Sequence, residues 1–220
     1  MKNPIKPNKN NFLRKNIILN GQFSVSQKNR SASLKITNNA PLTDKWTSYL
    51  NGPLEASGQQ LNKLDRNIKE LNQKNSNNLN NGFLIKCDVP SSLKKLDLFG
   101  IVQDVEDYDL NFLFNKFCTL SFWIRSSVPG FYYVAFKFGF EVSYISSYEV
   151  FSADQWEKKI ITLKLKKYQI INPKDRFFVY LGFRLGSKFQ QTLDVNKWQN
   201  GNYYGTSKQA VWGESALDTI

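Results

Sequence analysis

The sequence contains no histidine, so the most common general base and metal ligand of proteins is missing. A nucleophile activated by histidine is therefore excluded. One acidic cluster, Asp104, Glu106, Asp107 and Asp109, could hold two carboxylates together, and on a strand Asp104 and Glu106 would share a face that attracts Ca²⁺. The cluster lacks the Asp/Asn-Gly spacing of a calcium loop, which favours a solvated strand end. We predict no enzyme activity, no catalytic residue and no cofactor, with Asp104 and Glu106 as weak candidates for a metal site.

The candidates for binding lie in an aromatic, glycine-punctuated segment from Asp194 to Trp212, which shows no strand periodicity. Aromatic rings stack on the apolar faces of sugars, and amide side chains hydrogen-bond to sugar hydroxyl groups. The same rings suit a protein interface, because Tyr and Trp bury a large area at low entropic cost, and plain packing is a third interpretation. The predicted glycan-binding or partner-binding residues are Trp198, Gln199, Asn200, Asn202, Tyr203, Tyr204 and Trp212. Trp46, Trp123 and Trp156 lie at strand positions and are predicted to be structural.

The elements that position these residues are predicted to be strands. Residues 118–127 alternate between apolar and polar side chains with the period of two that a strand requires. The expected core face carries Cys118, Leu120, Phe122 and Ile124, and the wetter face carries Thr119, Ser121, Trp123 and Arg125. We predict that this strand is the centre of the domain.

Further strand patterns predict an all-β protein. They cover residues 16–21, 22–27, 46–50, 83–89, 98–106, 131–140, 143–151 and 156–165, followed by one apolar face formed by Phe177, Val179, Leu181, Phe183 and Leu185. Apolar residues at helical spacing over 61–71 predict one short helix. This pattern favours a jelly-roll β-sandwich over residues 16–220. The basic, proline-containing residues 1–15 are predicted to form a flexible arm, either an anchor or a disordered tail.

The formal net charge of +12 suits an anionic partner such as nucleic acid, acidic glycan or lipid headgroups. The lysines are dispersed and no basic-aromatic motif is visible, so we predict no nucleic-acid site. No apolar run is long enough to span a bilayer and the N-terminus has no secretion signal, so we predict no membrane insertion. Cys87 and Cys118 have no short-range partner and are predicted to be core residues rather than a disulfide or zinc ligands.

Several segments, taken in order, resemble a known module. They are residues 18–23, 42–46, 103–108, 120–127, 181–186 and 198–203, the last being Trp-Gln-Asn-Gly-Asn-Tyr. The set resembles the carbohydrate-binding-module-like β-sandwich of tailed-bacteriophage virion proteins, such as tail fibres and capsid-attached proteins. That module usually closes with a further strand, so we expect either a longer chain or a last strand supplied by a neighbour.

The resemblance implies a non-enzymatic virion structural protein, assembled in the host cytoplasm without a signal peptide. Its expected partners are other virion proteins, further copies of itself in an oligomer or array, and a bacterial surface glycan. Two roles remain open, which are host attachment within a tail fibre and decoration of the capsid or tail. The alternative is a free carbohydrate-binding module with no virion role.

Overall fold

The structure is a computed structural model that describes residues 16–28, 32–75, 79–106, 110–111, 113–166, 176–191 and 195–220. The predicted N-terminal arm, residues 1–15, lies outside the described residues, as do Asp107 and Asp109 of the acidic cluster.

Strands dominate the described residues. They are β1 (Leu34–Ile36), β2 (Pro41–Thr43), β3 (Trp46–Asn51), β4 (Glu55–Asn62), β5 (Asn81–Val89), β6 (Leu98–Val105), β7 (Phe117–Ile124), β8 (Gly130–Phe138), β9 (Val142–Val150), β10 (Glu157–Lys164), β11 (Phe177–Leu185), β12 (Gln190–Gln191), β13 (Trp198–Asn200) and β14 (Gly205–Thr206). One α-helix, α1 (Arg66–Asn75), joins β4 to β5, and a 3₁₀ turn spans Ser187–Phe189.

The strands form two layers. The larger sheet has the order β13-β9-β8-β11-β6-β3-β2, and all its neighbouring strands are antiparallel. The second layer combines the sheet β1-β4-β5 with the pair β10-β7. Backbone hydrogen bonds from residues 218–220 to β5 and to Ser127 connect its two parts. The protein is thus an all-β sandwich with one short helix, as the sequence predicts.

The main core lies between the layers and is rich in aromatic rings. The ring of Phe99 packs 5.3 Å from Trp212 and 5.9 Å from Phe183, and the rings of Phe138 and Phe177 are 4.9 Å apart. A second, smaller cluster, which includes Leu98, Tyr133, Tyr180, Leu185 and Tyr204, packs on the outer face of the seven-stranded sheet. That sheet is therefore covered on both faces, on one side by strands and on the other by the chain after β11.

The alternation in β7 is confirmed, because Cys118, Leu120, Phe122 and Ile124 contact the main core. Its predicted central position is wrong. β7 pairs only with β10 among the named strands, whereas β11 lies between β6 and β8 inside the long sheet.

Other predictions about elements need correction. Residues 16–27 do not form strands, because Asn20 and Phe23 have positive φ angles of 48° and 53°, which break an extended backbone. The helix begins later than predicted, at Arg66, and Leu61 belongs to β4. Leu185 leaves the apolar face of β11, because a register shift between Gly182 and Arg184 moves it into the outer cluster.

Within the described part of the chain, no helix combines the length and hydropathy that crossing a bilayer requires.

Candidate functional site

Three rows of side chains cross the outer face of the seven-stranded sheet, because directly opposed residues on neighbouring strands share a face. The registers fix the rows as Tyr49, Gly100, Gly182 and Tyr133, then Thr47, Val102, Tyr180 and Ala135, then Asp104, Phe178, Lys137, Ser143 and Gln199. The face therefore combines tyrosine and phenylalanine rings with short polar side chains.

Two glycines make the first row shallow. A Cβ atom at Gly100 would lie 2.3 Å from the Leu181 carbonyl oxygen and 2.5 Å from the Tyr180 ring, so only glycine fits there. The Tyr180 ring occupies this space, and the rings of Tyr49 and Tyr204 pack against it at centroid distances of 6.4 and 4.8 Å. The hydroxyl group of Tyr180 is buried and has no hydrogen-bond partner in the described structure.

Residues 201–206 pack on this face, where β14 contacts β8, β9 and β11. Tyr204 is 1% exposed, and its ring stacks on that of Tyr49 at 5.9 Å. The partly buried side chains Tyr49, Val102, Phe178 and Tyr203, with the polar residues Thr47, Asp104 and Asn202 beside them, form a surface that we call the aromatic face. It presents apolar rings and hydrogen-bonding groups side by side, which is the composition typical of small-ligand sites.

Lys137 lies beneath the aromatic face and is 0% exposed. Its ammonium group donates to Asn202 Oδ1 at 2.8 Å, Ser143 Oγ at 3.0 Å and the Tyr203 carbonyl at 3.3 Å. It also lies 4.3 Å from the centroid of the Tyr204 ring. Burial lowers the pKa of Lys137 to about 7. This lysine therefore fastens the 201–204 segment to the sheet and fixes the position of Asn202 and Tyr203.

The structure brings some of the predicted binding residues together at this face. Asn202 and Tyr203 lie at its margin, held by Lys137. Gln199 shares the third row, where its amide nitrogen donates to Gln191 Oε1, and Asn200 is exposed at the end of β13. The segment therefore contains strand residues, β13 and β14, that the sequence did not reveal.

Three predicted binding rings pack against other residues of the fold, and Trp198 among them is only partly buried. Trp198 faces the main core, where its ring lies 5.3 Å from Tyr144 and 5.6 Å from Phe138. Trp212 is 0% exposed in the same core, and Tyr204 is buried in the outer cluster. This burial favours the packing interpretation for Tyr204 and Trp212, whose role in binding stays a prediction.

Two of the three tryptophans predicted to be structural donate hydrogen bonds within the fold. Trp46 is 4% exposed, and its indole N–H donates to the Asn20 carbonyl at 3.2 Å. The indole N–H of Trp156 donates to the Asn67 carbonyl at 3.0 Å. Trp123 is half-buried and lines a cleft in the second layer, together with Trp156.

Each acidic residue of the weak metal candidate is paired with a cation. Asp104 Oδ2 lies 3.5 Å from Arg176 Nη1, and Glu106 Oε1 lies 3.3 Å from Lys45 Nζ. Within the described residues, no group of three or more metal-ligating side chains of the His, Cys, Asp or Glu type comes together.

Sequence reasoning missed four members of the aromatic face, Thr47, Tyr49, Val102 and Phe178, and also missed Lys137 beneath it. Each lies on the polar side of an alternating strand, opposite the predicted core residues. The signal was present, because aromatic residues on the nominally wet side of strands have no packing role unless something covers or binds them.

No protein-family model matches the sequence, and no curated protein matches it significantly. Among solved structures, the chain is similar to the family 11 carbohydrate-binding module from Clostridium thermocellum, in complex with a beta-1,3-1,4-mixed-linked tetrasaccharide. The two share 13% sequence identity with a TM-score of 0.39, over 78% of this chain and 95% of that one. The resemblance to phage virion modules stays a prediction.

Proposed function

We propose that this protein is a non-catalytic carbohydrate-binding protein and that its ligand lies across the aromatic face. The observation that carries the proposal is the set of partly buried rings at the surface, Tyr49, Phe178 and Tyr203, held on the sheet beside the amide of Asn202. Sugar rings can stack on these aromatic side chains while their hydroxyl groups bond to Thr47, Asp104 and Asn202.

The rigidity of the face supports binding by preorganisation. Tyr49 is stacked on Tyr204, and the backbone of Tyr203 is tied to Lys137, so little side-chain entropy remains to be lost when a ligand binds. Asp104, the acidic residue of the face, is paired with Arg176, and the Lys137 ammonium group is fully buried beneath the surface. A polar-aromatic surface of this kind fits an uncharged oligosaccharide better than an anionic partner, in spite of the basic charge of the chain.

A glycan array with the full chain, followed by calorimetry with the best oligosaccharide, tests this proposal. Tyr49→Ala and Phe178→Ala should each weaken binding about tenfold, which corresponds to about 1.4 kcal/mol. Phe117→Ala is the matched control, because Phe117 is an aromatic residue on β7 that is 76% exposed and lies in the other layer.

The outcomes separate the interpretations. Binding that is lost in the two face variants and kept in the control supports the proposal. Equal loss in all three variants, or no binding to any glycan of the array by a folded protein, would contradict it.

A virion role is the finer part of the sequence prediction, and it rests on the resemblance alone. In that role the same face would attach a particle to a bacterial surface glycan, and many copies would supply avidity. Quantification of the protein in purified particles checks it, because decoration requires many more copies than a tail fibre does.

A further inference from the structure

The strand pair β7 and β10 has a second face, which points away from the main core. In both strands every second residue contacts that core, as Leu120 and Ile161 do, so the intervening residues point outward. We call this outward surface the lysine face. Its members are Phe117, Thr119, Ser121 and Trp123 on β7, and Lys158, Ile160, Thr162 and Lys164 on β10. All of them are exposed except Trp123, which is partly buried.

The register of the two strands places a cation beside an aromatic ring at each end of the lysine face. Lys164 lies directly opposite Phe117, and Lys158 lies directly opposite Trp123. The Cβ atoms of opposed residues are about 5 Å apart, so each ammonium group and its neighbouring ring can contact one ligand group together. Six residues separate the two lysines, which places the two ends about 20 Å apart along the strand.

The middle of the lysine face is apolar and rich in hydroxyl groups. The side chains of Phe117 and Ile160 are 76% and 64% exposed, and large apolar side chains that face water together often mark an interaction surface. Between them, the hydroxyl groups of Thr119 and Thr162 share a hydrogen bond of 3.1 Å across the strands. Each hydroxyl oxygen retains capacity for a further hydrogen bond to a ligand.

The positive charge of the lysine face is not compensated by neighbouring acids. None of its eight residues is acidic, and in the described part of the chain neither Lys158 nor Lys164 forms an ion pair. Arg125 differs, because the carboxylates of Glu70 and Asp154 lie 3.6 and 3.9 Å from its guanidinium group. The free charge therefore belongs to the lysines, and it favours an anionic partner.

The spacing of the lysines indicates which kind of anion fits. Lys158 and Lys164 lie about 20 Å apart, whereas a nucleic acid strand carries a phosphate about every 3.4 Å, so most phosphates would stay unpaired. Binding of single strands also uses several exposed rings in succession, and here Phe117 is the one fully exposed ring of the face. A polysaccharide with a carboxylate on every second sugar has sparser charge, with hydroxyl groups and apolar ring faces between its anions.

We propose that the lysine face binds such an acidic polysaccharide, extended along β7 and β10. One sugar stacks on Phe117 while a carboxylate beside it pairs with Lys164. The hydroxyl groups of the next sugars bond to Thr119 and Thr162, and a second carboxylate reaches Lys158. This surface lies in the other layer from the aromatic face, so it is independent of the uncharged ligand proposed there.

Calorimetry of the full chain with a hyaluronan octasaccharide tests the proposal, because this sugar carries a carboxylate on every second unit. The matched probe is the same octasaccharide with its carboxyl groups reduced to neutral alcohols. The acidic form should bind at least about tenfold more tightly than the neutral form. Its affinity should fall several-fold between about 50 and 300 mM salt, since exposed charges are screened.

Substitutions within and outside the lysine face locate the binding. Phe117→Ala and Lys164→Glu should each weaken octasaccharide binding about tenfold. The matched controls are Phe140→Ala and Lys208→Glu, which change exposed residues outside β7 and β10 and should alter the affinity less than twofold. The lysine control carries the same change in net charge, so it separates local contact from general attraction to a basic protein.

Tyr49→Ala keeps this proposal distinct from the proposed function. It should leave octasaccharide binding unchanged, because Tyr49 belongs to the aromatic face. Loss of octasaccharide binding in Tyr49→Ala, with none in Phe117→Ala, would overturn the lysine face and support sugar binding at the aromatic face. Octasaccharide binding that is lost in Phe117→Ala supports the lysine face even if no uncharged glycan binds.

Three other results would overturn the proposal. One is equal binding of the acidic and neutral octasaccharides, or binding of neither at millimolar concentration. Another is equal weakening by Lys164→Glu and Lys208→Glu, which would mean that only the net charge matters. The third is tighter binding of a twelve-residue oligothymidylate, or of vesicles containing phosphatidylglycerol, that depends on Phe117 and Lys164, since the partner would then be a nucleic acid or a membrane surface.

Discussion

Replacing Lys137 with methionine should remove a pH dependence of stability that the wild-type protein has between pH 7 and 10. The side chain is 0% exposed, and burial lowers its pKa from the ordinary value of 10.5 to about 7. In the unfolded chain the lysine keeps its proton up to about pH 10. Between these two values the unfolded state binds more protons than the folded state, so the free energy of unfolding rises with pH.

The size of the effect follows from the two pKa values. The wild-type protein should gain up to about 1.4 kcal/mol of stability per pH unit relative to Lys137→Met, which gives about 2 kcal/mol between pH 7.5 and 9. Below pH 6.5 the lysine is protonated in both states, so the difference between the two proteins should be constant. Tyrosines and cysteines whose pKa values are raised by burial, such as Tyr132 and Cys87, are present in both proteins and cancel in the difference.

Guanidinium denaturation at pH 6, 7.5 and 9 measures this difference, with Lys164→Met as the control for an exposed lysine on β10. The control should track the wild-type protein at all three pH values. A constant difference between wild type and Lys137→Met from pH 6 to 9 would refute the reasoning. It would mean that the acceptors Ser143 and Asn202 and the Tyr204 ring hold the proton on the buried ammonium group as firmly as water does.

Three further substitutions have expected outcomes that denaturant titration checks. Asp97→Ala should lower the free energy of unfolding by about 3–5 kcal/mol, because the buried guanidinium group of Arg184 would lose the carboxylate that lies 3.0 Å away. A decrease below about 1 kcal/mol would contradict the burial of this ion pair. Gly100→Ala should lower the free energy of unfolding by about 1–3 kcal/mol, since its Cβ would lie 2.3 Å from the Leu181 carbonyl oxygen. Unchanged stability would contradict this and show that the strand can shift. Trp198→Ala should lower stability by about 2–4 kcal/mol and leave glycan affinity unchanged, and the opposite pattern would restore Trp198 as a binding residue.

The strands could be predicted because their signal is local. Alternation in residues 118–125 and 177–185 reports which side chains face the core, and the structure confirms both faces up to the register shift at Gly182. A shift of one residue in pairing is decided by the neighbouring strand, so the exit of Leu185 from the core face could not be inferred from its own segment.

The candidate site was harder to predict because its geometry depends on distant contacts. Residues 16–27 carry alternating side chains, but the Asn20 side chain bonds to the Val25 and Asp44 carbonyls, and Leu19 exchanges hydrogen bonds with Gln103. Such bonds override a strand pattern. Similarly, Trp212 follows a long irregular segment, and its burial depends on contacts with other strands, such as the ring of Phe99 on β6 and the backbone of Phe183 on β11.

The buried guanidinium of Arg184 has a consequence for the dynamics of the loops around it. Besides Asp97, it donates to the carbonyl of Ser91 at 2.8 Å and to that of Trp212 at 3.2 Å. Ser91 and Asp97 lie in the connection between β5 and β6, and Trp212 lies far along the chain, after β14. Neither segment can therefore open without leaving a buried cation with fewer hydrogen-bond acceptors. We expect their amides to exchange with solvent only when the whole domain unfolds, which makes this end of the sandwich a single cooperative unit.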